Sequence, residues 1–299
     1  MYELFKSFLG AENVLVSEPM SKHTSFKIGG PADLFLMPET HGQLRQILTV
    51  AKEYNIPLFV MGNGSNLLVG DKGIRGAVVS LYKKMNKIVV DGEKLYAGCG
   101  ALMSTVASAA LSADLEGFEF ASGIPGTIGG GIYMNAGAYG FELKDIVESV
   151  DYMDSEGNIS QISGCDCKFG YRKSIFAEKG YIVLGCTFGL KKGNKEQIRE
   201  RINDFTKRRV TKQPVEKPSA GSVFKRPEGY FAGALIEGEG LKGFSIGGAQ
   251  VSEKHAGFII NKGDATAKDV LDLVEHIQKT VYEKNGVKLE TEIKFVGEF

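Results

Sequence analysis

Two glycine-rich segments have the composition of loops that bind phosphate groups. They read GNGSN at residues 62–66 and GIPGTIGGGIYMNAGAYG at residues 123–140. Glycine has no side chain, so it lets the backbone approach a ligand closely and lets successive N–H groups point at one anion. The longer segment therefore predicts a ligand loop. For the shorter one, a ligand loop and a tight turn packed only for shape are equal alternatives.

Two other segments place a single charged or hydroxyl side chain in apolar or glycine surroundings. Residues 171–176 read YRKSIF, so Arg172 could clamp an anion beside an aromatic ring. Residues 220–225 read AGSVFK, which puts the Ser222 hydroxyl in a constrained turn. Each residue also has an ordinary interpretation, with Arg172 as a surface cation and Ser222 as a hydroxyl that only completes its turn.

The last third of the chain adds two more groups of polar side chains. Gln250 closes a GGAQ stretch, and His255 and Asn261 follow it. These side chains could line a pocket or only cap secondary structure. Glu290 and Glu292 lie on one face of a predicted strand, where carboxylates either do acid–base work or face solvent.

Spacing argues against two familiar kinds of site. Among the four cysteines only Cys165 and Cys167 are close, with one residue between them. Zinc sites use pairs about two to four residues apart with a second pair or histidines, so no metal is expected. Gly238, Gly240 and Gly243 spell G-x-G-x-x-G, but a dinucleotide fingerprint must follow a strand. The residues before these glycines are helical in pattern, so the fingerprint is rejected.

The short glycine segment is predicted to follow a strand–helix–strand unit. Residues 32–37 form the first strand, and Thr40 with Gln43 forms a capping box. The helix has an apolar face with helical spacing, formed by Leu44, Ile47, Leu48 and Ala51. A buried strand at 58–61 completes the unit, and such crossovers join parallel strands. Residues 62–66 then lie at the carboxyl end of that strand.

The long glycine segment falls in a second predicted unit. It has strands near residues 87–90, 147–153 and 182–190, and a helix of small residues from 101 to 113. The glycine segment stands between that helix and the second of these strands. This position makes it a connection held by elements on both sides.

A change of composition at residues 191–194 marks the main predicted domain boundary. Beyond it, the best-defined helix has Thr266 as its N-cap and Asp269 at its third position, and it ends at Gly286. Its apolar face is formed by Val270, Leu273, Val274, Ile277 and Val281. The last predicted strand alternates in polarity over residues 287–295.

The overall composition fits a two-domain globular protein and excludes several classes. The 299 residues carry 36 basic and 36 acidic side chains, whereas a general nucleic-acid binder has a basic excess. No stretch reaches the roughly 18 uninterrupted apolar residues of a membrane span. The first residues lack a basic leader and a cleavage site, so we expect a cytoplasmic protein with reduced thiols. Nothing in the pattern selects an oligomeric state.

Seven segments, taken in order, closely resemble the UDP-N-acetylenolpyruvoylglucosamine reductase family, whose activity is also called UDP-N-acetylmuramate dehydrogenase. They read HTSFKIGGPAD (23–33), GNGSNLLV (62–69), GIPGTIGGGIYMNAGAYG (123–140), YRKSIF (171–176), KPSAGSVFK (217–225), GGAQVSEKHAGFIIN (247–261) and LETEIKFVGEF (289–299). The resemblance covers nearly the whole chain. Only the last segment departs from the family pattern, since Thr291 replaces the usual proline, and this leaves Glu292 in place.

The resemblance implies an α+β fold, with a vanillyl-alcohol-oxidase-type FAD-binding domain in two subdomains and a C-terminal α/β substrate-binding domain. The expected bounds are a lead-in at 1–20, FAD subdomains at about 21–82 and 83–190, and a substrate domain at 194–299. The last strand is expected to return to the FAD domain. The compact stretch 181–213 resembles the shorter subtype of the family, which lacks a tyrosine-bearing insertion.

The resemblance also implies two cofactors, FAD and the reductant NADPH. Neither glycine segment contains a histidine or cysteine that could attach a flavin, so non-covalent FAD is expected. The implied FAD-binding residues are Gly62, Asn63, Gly64, Ser65, Asn66, Gly126, Thr127, Gly129, Gly130, Asn135, Gly137, Ala138, Tyr139 and Ile182.

The implied reaction reduces the enolpyruvyl ether of UDP-N-acetylglucosamine to UDP-N-acetylmuramate, a step of peptidoglycan precursor synthesis. The resemblance assigns Arg172 to the substrate carboxylate, Glu292 to a hydrogen bond with that carboxylate, and Ser222 to protonation of carbon. The candidates for contact with the UDP-sugar are Tyr171, Lys225, Gln250, His255 and Asn261. The expected partners are therefore small molecules, with no nucleic acid and no membrane span.

Two alternatives to this reductase are kept. One is a flavin oxidase of the same superfamily that acts on another small molecule, which the reductase-like C-terminal segments disfavour. The other is a non-catalytic flavin or nucleotide-sugar binder. The joint presence of Arg172, Ser222 and Glu292 disfavours that binder.

Overall fold

The computed structural model describes residues 1–299, which form two compact units. Unit 1 consists of Met1–Val16, Leu34–Asn63 and Ala77–Arg208, and unit 2 of Ser17–Asp33, Gly64–Gly76 and Arg209–Phe299. Each unit therefore collects three separate stretches of the chain. The domains expected from the sequence are continuous stretches of the chain. Their bounds stay a prediction, because a compact unit of the structure need not coincide with a functional domain.

Eight α-helices and nineteen strands make up the two units. The helices are α1 Tyr2–Leu9, α2 His41–Glu53, α3 Met103–Ser112, α4 Ile128–Tyr133, α5 Ile175–Lys179, α6 Lys195–Lys212, α7 Ala232–Gly238 and α8 Ala267–Asn285. The strands are β1 Val14–Pro19, β2 Pro31–Leu36, β3 Leu58–Met61, β4 Leu67–Val69, β5 Ile74–Ser80, β6 Ile88–Asp91, β7 Lys94–Gly98, β8 Leu115–Glu116, β9 Gly137–Ala138, β10 Phe141–Glu142, β11 Val147–Met153, β12 Ile159–Ser163, β13 Ile182–Gly189, β14 Lys191–Lys192, β15 Ser219–Ser222, β16 Ser245–Ile246, β17 Ala249–Val251, β18 Phe258–Asn261 and β19 Lys294–Val296. No helix has the length and apolarity that crossing a lipid bilayer requires.

The predicted strand–helix–strand unit is present as β2, α2 and β3. Its sheet has the strand order β1-β2-β5-β3, so the parallel neighbour of β3 is β5. Thr40 caps α2 as predicted, since its hydroxyl accepts from the Gln43 backbone N–H at 3.1 Å. The capping box itself is wrong, because the Gln43 side chain accepts from Glu39 N at 2.7 Å instead. The Gln43 side chain is held away from the Thr40 N–H because its amide also donates to the Phe8 carbonyl at 3.0 Å.

A second sheet of unit 1 supports the long glycine segment. Its order is β12-β11-β13-β7-β6, and all of its pairings are antiparallel. The predicted strands near 87–90, 147–153 and 182–190 and the helix 101–113 are confirmed within a few residues at each end. The core against this sheet includes the fully buried rings of Phe118, Phe176 and Phe188. This apolar layer supports the loops that the site residues occupy.

Unit 2 is built on the sheet β15-β18-β17-β16, and helix α8 contacts β16 and β17. All five residues of the predicted apolar face of α8 are buried. The predicted continuous strand over 287–295 is wrong, since only Lys294–Val296 is a strand, parallel to β4. Before it, the backbone changes partners: Glu292 N–H donates to Val223 O at 2.7 Å and Lys294 N–H to Asn66 O at 2.9 Å. Leu289 and Ile293 are still buried. The alternation of polar and apolar residues therefore indicates which side chains are buried and does not indicate a paired strand.

We expect Thr266→Ala to destabilise unit 2 by about 1 kcal/mol. Thr266 Oγ1 accepts from Asp269 N at 3.0 Å, and Asp269 Oδ2 accepts from Thr266 N at 3.0 Å, so the predicted N-cap is confirmed and forms a capping box. The bond that the Asp269 carboxylate accepts from Thr266 N, together with one from Gly248 N, holds the pKa of Asp269 below its ordinary value. Urea unfolding measures the loss, and Thr266→Ser is the control that keeps the cap. Equal stability of the alanine and serine variants would contradict the assignment.

Candidate functional site

Arg172 lies at the tip of a tight turn in unit 1. Gly170 and Lys173 close this turn by exchanging two backbone hydrogen bonds, each of 3.1 Å. Arg172 has φ 56°, a left-handed conformation that residues with a side chain seldom adopt. Its guanidinium lies 4.9 Å from the centroid of the Tyr171 ring, within cation–π range. The turn thus fixes the point and direction at which the Arg172 side chain leaves the backbone.

Two buried polar side chains tie this turn to the end of the long glycine segment. The Asn135 amide donates to Gly170 O at 3.0 Å, and the Ser174 hydroxyl donates to Tyr133 O at 2.6 Å. Ser174 also accepts from Ala177 N at 3.3 Å and so caps helix α5. The structure therefore joins two segments that the sequence predicted separately. The sequence suggested neither contact, since an asparagine in a glycine loop is equally suited to binding a ligand.

The two glycine segments meet within unit 1 at Gly62 and Thr127. A Cβ added to Gly62 would collide with Thr127 Oγ1, so only glycine fits there. Thr127 also caps helix α4 by accepting from Gly130 N at 3.4 Å. The sequence had suggested that the backbone N–H groups of the long segment all point at one ligand, but the structure shows that some of them do not. Those of Ile128 and Gly129 donate to Ala101 O and Cys99 O at 2.8 and 2.9 Å, because this stretch packs on the residues before α3.

The far end of the long segment is held by backbone pairing and by aromatic contact. Gly137 and Ala138 form β9, which pairs with β10. Tyr139 has φ 58°, its ring stacks on Phe205 with centroids 4.6 Å apart, and its hydroxyl donates to Phe205 O at 3.0 Å. Ile182, the first residue of β13, pairs with Met153 and is half-buried. These predicted cofactor residues are thus fixed in place within unit 1.

Ser222 lies in unit 2 at the end of β15, in a bulged strand rather than in the simple turn expected from the sequence. The register against β18 shifts between Ser219 and Ser222, and Gly221 inside the bulge has φ 79°. The next carbonyl, that of Val223, accepts from Glu292 N at 2.7 Å. The structure therefore brings the Ser222 and Glu292 backbones side by side.

Two residues from the N-terminal half of the chain hold this pair of backbones within unit 2. The Asn66 amide donates to Glu292 O at 3.1 Å, and the Ser25 hydroxyl donates to Ser219 O at 2.7 Å. Ser25 belongs to the HTSFKIGGPAD segment, to which the sequence gave no role. The only signal for it in the sequence was its place among the seven segments.

Glu290 and Glu292 differ in their surroundings, although the sequence pattern treats them alike. The Glu290 side chain is 74% exposed and pairs with Lys225 Nζ at 2.9 Å. Glu292 is only partly exposed, and its backbone is bound on both sides. The spacing in the sequence does not distinguish the two glutamates as candidates for acid–base chemistry, whereas the lower exposure of Glu292 favours Glu292. The same contact gives Lys225, a predicted UDP-sugar residue, a carboxylate partner within the protein.

Gln250 and Asn261, two other predicted UDP-sugar residues, lie on neighbouring strands of the Ser222 sheet. The Gln250 amide donates to Gly243 O at 3.0 Å. Asn261 is 4% exposed, its amide donates to Phe26 O at 3.1 Å, and its oxygen accepts from the backbone N–H groups of Gly263 and Ala265. The structure therefore gives these amides internal partners, and their contact with substrate stays a prediction.

His255 has a defined protonation state and orientation. Its Nδ1 accepts from Gly257 N at 3.0 Å, so the ring hydrogen of the neutral form lies on Nε2. Burial lowers the pKa of His255 below its ordinary value, which keeps the ring neutral at pH 7. Gly233 and Gly257 lie against the ring, where an added Cβ would approach Cε1 to 3.2 and 3.0 Å. The imidazole is therefore set as a hydrogen-bond donor through Nε2. No cluster of histidine, cysteine and acidic side chains forms a metal site.

Two family models match the chain. Residues 213–296 match the model described as UDP-N-acetylenolpyruvoylglucosamine reductase, C-terminal domain. Residues 32–163 match the model described as FAD binding domain. The two matches contain most of the predicted site residues, with Arg172, Tyr171 and Ile182 between them.

Proteins of known identity are similar along almost the whole chain. The UDP-N-acetylenolpyruvoylglucosamine reductase of Caldanaerobacter subterraneus subsp. tengcongensis is 53% identical over 298 residues, covering 100% of this chain and 98% of its own length. The protein of that name from Clostridioides difficile is 52% identical over 292 residues, covering 98% and 96%. The crystal structure of UDP-N-acetylenolpyruvylglucosamine reductase from Thermus caldophilus has a TM-score of 0.82 and 35% identity, covering 95% of this chain and 98% of that one.

Proposed function

The chain belongs to the UDP-N-acetylenolpyruvoylglucosamine reductase family, and on that premise we propose which of its residues perform the reaction. It is an FAD-dependent, NADPH-using reductase of peptidoglycan precursor synthesis, with the α+β fold expected from the sequence. The observation that carries this function is 53% identity over 298 residues with a reductase of that name.

The residues of the long glycine segment fit a bound flavin nucleotide. Above Gly130 a Cβ would meet only Thr127 Oγ1, at 3.7 Å, and above Gly140 it would meet nothing within 4 Å, so this backbone is open to a ligand. Ser122 Oγ, just before the segment, is buried without a hydrogen-bond partner, and such a group needs a polar partner. Ser122 was not among the predicted residues. These features support the backbone of the long glycine segment as an FAD-binding surface.

FAD held by the glycine segments would supply the redox chemistry, namely hydride transfer from NADPH to the terminal vinyl carbon of the substrate. Negative charge then develops on the neighbouring carbon and its carboxylate. Arg172 holds that carboxylate with a fixed cation, and the Glu292 side chain is its hydrogen-bond partner. Ser222 gives its proton to the charged carbon, forming the C–H bond of the lactyl ether as its own O–H bond breaks. Serine is a weak acid, but the enolate of a carboxylate is a strong base.

The UDP-sugar is held by Tyr171, Lys225, Gln250, His255 and Asn261 in this proposal. The neutral His255 ring supports it, because Nε2–H suits an acceptor oxygen of a nucleotide sugar. We assign the enzyme to the cytoplasm and to cell-wall biogenesis, with small molecules as its partners. Buried, unpaired thiols at Cys99, Cys167 and Cys186 support a reducing compartment.

We expect the purified protein to be yellow and to release its flavin on acid precipitation. The reason is that the glycine segments hold no histidine or cysteine for covalent attachment. The absorbance spectrum of the supernatant identifies free FAD, and NADPH followed by the enolpyruvyl substrate bleaches and restores the colour of the native enzyme. A colourless protein that binds no added FAD would overturn the function. Oxygen consumption without substrate reduction would favour a flavin oxidase.

A further inference from the structure

We propose that Asn135 is a positioning residue for Arg172 in the reductase reaction. This inference rests on the proposed function, since it needs Arg172 to hold the substrate carboxylate. The family resemblance implies that Asn135 is a cofactor contact. The structure instead directs its side-chain amide into the protein, toward the turn that carries Arg172.

Asn135 has an unusual set of contacts for a residue in a glycine-rich loop. It is fully buried, has φ 47°, and makes three side-chain hydrogen bonds. Its Nδ2 donates to Gly170 O at 3.0 Å and to Glu142 Oε2 at 3.1 Å, and its Oδ1 accepts from Lys144 N at 3.0 Å. Both amide hydrogens therefore have partners inside unit 1.

The bond to Gly170 is the one that reaches Arg172. Gly170 O also accepts the N–H of Lys173 at 3.1 Å, so two donors fix the direction of this carbonyl. Gly170 and Lys173 are the ends of the turn whose tip is Arg172 in a strained backbone conformation. A strained residue persists only where its surroundings over-determine it, and the Asn135 amide is one of those constraints.

The chemistry of the site explains why an amide is needed. A carboxylate at position 135 would keep the acceptor for Lys144 N but would set oxygen against Gly170 O and the Glu142 carboxylate. An apolar residue would leave buried groups without partners. Asparagine also tolerates the left-handed conformation better than most residues. Asparagine thus allows the left-handed backbone conformation at this position and supplies two hydrogen-bond donors and one acceptor.

The test is a double-mutant cycle read out in the two half-reactions of the holoenzyme. We expect Asn135→Asp to slow oxidation of the reduced flavin by substrate by about tenfold or more, since displacing a positioned group by about 1 Å can cost about 10²-fold. Reduction of the flavin by NADPH should stay within about twofold, because it does not use Arg172. In an Arg172→Ala background the same substitution should change substrate reduction by no more than about twofold, since residues acting as a unit are not additive.

Two further variants keep the outcome clear. Asn135→Gly suits the positive φ and removes the amide, so it replaces Asn135→Asp if that variant does not fold. Glu142→Ala removes the other acceptor of Nδ2 and leaves the Gly170 bond, so it should slow substrate reduction much less. Full additivity with Arg172→Ala, equal slowing of both half-reactions, or weakened FAD binding as the sole effect would overturn the proposal. A wild-type enzyme that cannot reduce the enolpyruvyl substrate would instead overturn the proposed function.

Discussion

Replacing Ser222 by alanine is expected to slow reduction of the enolpyruvyl substrate by about 10²–10⁴-fold, the usual contribution of a general acid. Reduction of the flavin by NADPH should be nearly unchanged, because that step needs no proton at a substrate carbon. Stopped-flow absorbance of the flavin measures the two half-reactions separately. The split between them distinguishes a proton donor from a residue that only shapes its surroundings.

The structure favours a local effect for this substitution. Ser222 ends β15, and the contacts around it are made by backbone groups that alanine retains, such as Val223 O with Glu292 N. Gly221 provides the positive φ of the bulge, so the Ser222 side chain is not needed for the backbone conformation. Removal of the hydroxyl should therefore leave the strand in place.

Two comparisons sharpen the Ser222 experiment. Ser222→Cys should keep more activity than Ser222→Ala, since a thiol still carries a proton to donate. Ser219→Ala is the matched control on the same strand, because the contact made by Ser219 to Ser25 uses its backbone carbonyl. If Ser222→Ala slows both half-reactions alike, Ser222 is a structural residue and its ordinary interpretation is the right one.

The sequence predicted local structure well wherever one segment decides it. The capped, apolar-faced helix α8 is an example, since Thr266, Asp269 and its buried face form one continuous pattern. The prediction from sequence failed where the backbone pairs with segments that are distant in the chain. The segment after Val287 alternates like a strand, yet its backbone bonds reach Val223 and then Asn66, two places far apart in the sequence.

The site shows the same division between local and distant information. Residue type and the family resemblance suggested Arg172, Ser222 and Glu292, because charge and hydroxyl chemistry belong to single residues. The support around them was not predictable, because it consists of contacts such as Asn135 with Gly170 and Ser25 with Ser219. These side chains bond to backbone carbonyls, which leave no mark of residue type in the sequence.

The choice of Glu292 over Glu290 can be tested by removing each side chain in turn. Glu292→Ala should slow substrate reduction by about 10²–10³-fold, the typical effect of losing one donor to a developing negative charge. Glu292→Gln should fall between alanine and wild type, because an amide N–H still donates to the anion but is a weaker donor than a carboxylic acid O–H. Glu290→Ala should have a much smaller effect, because its carboxylate is exposed and pairs with Lys225.

The comparison of the two glutamates controls for damage to the fold. The two residues are two positions apart on the same segment, and each has a backbone bond that alanine keeps, Glu290 O with Lys225 N and Glu292 N with Val223 O. A purely structural role of this segment would therefore make the two alanine variants alike in activity and in thermal stability. Stopped-flow measurement of substrate reduction, with melting temperature as the parallel readout, decides the matter. Equal losses of rate from both variants would remove Glu292 from the proposed chemistry and leave the carboxylate to Arg172 alone.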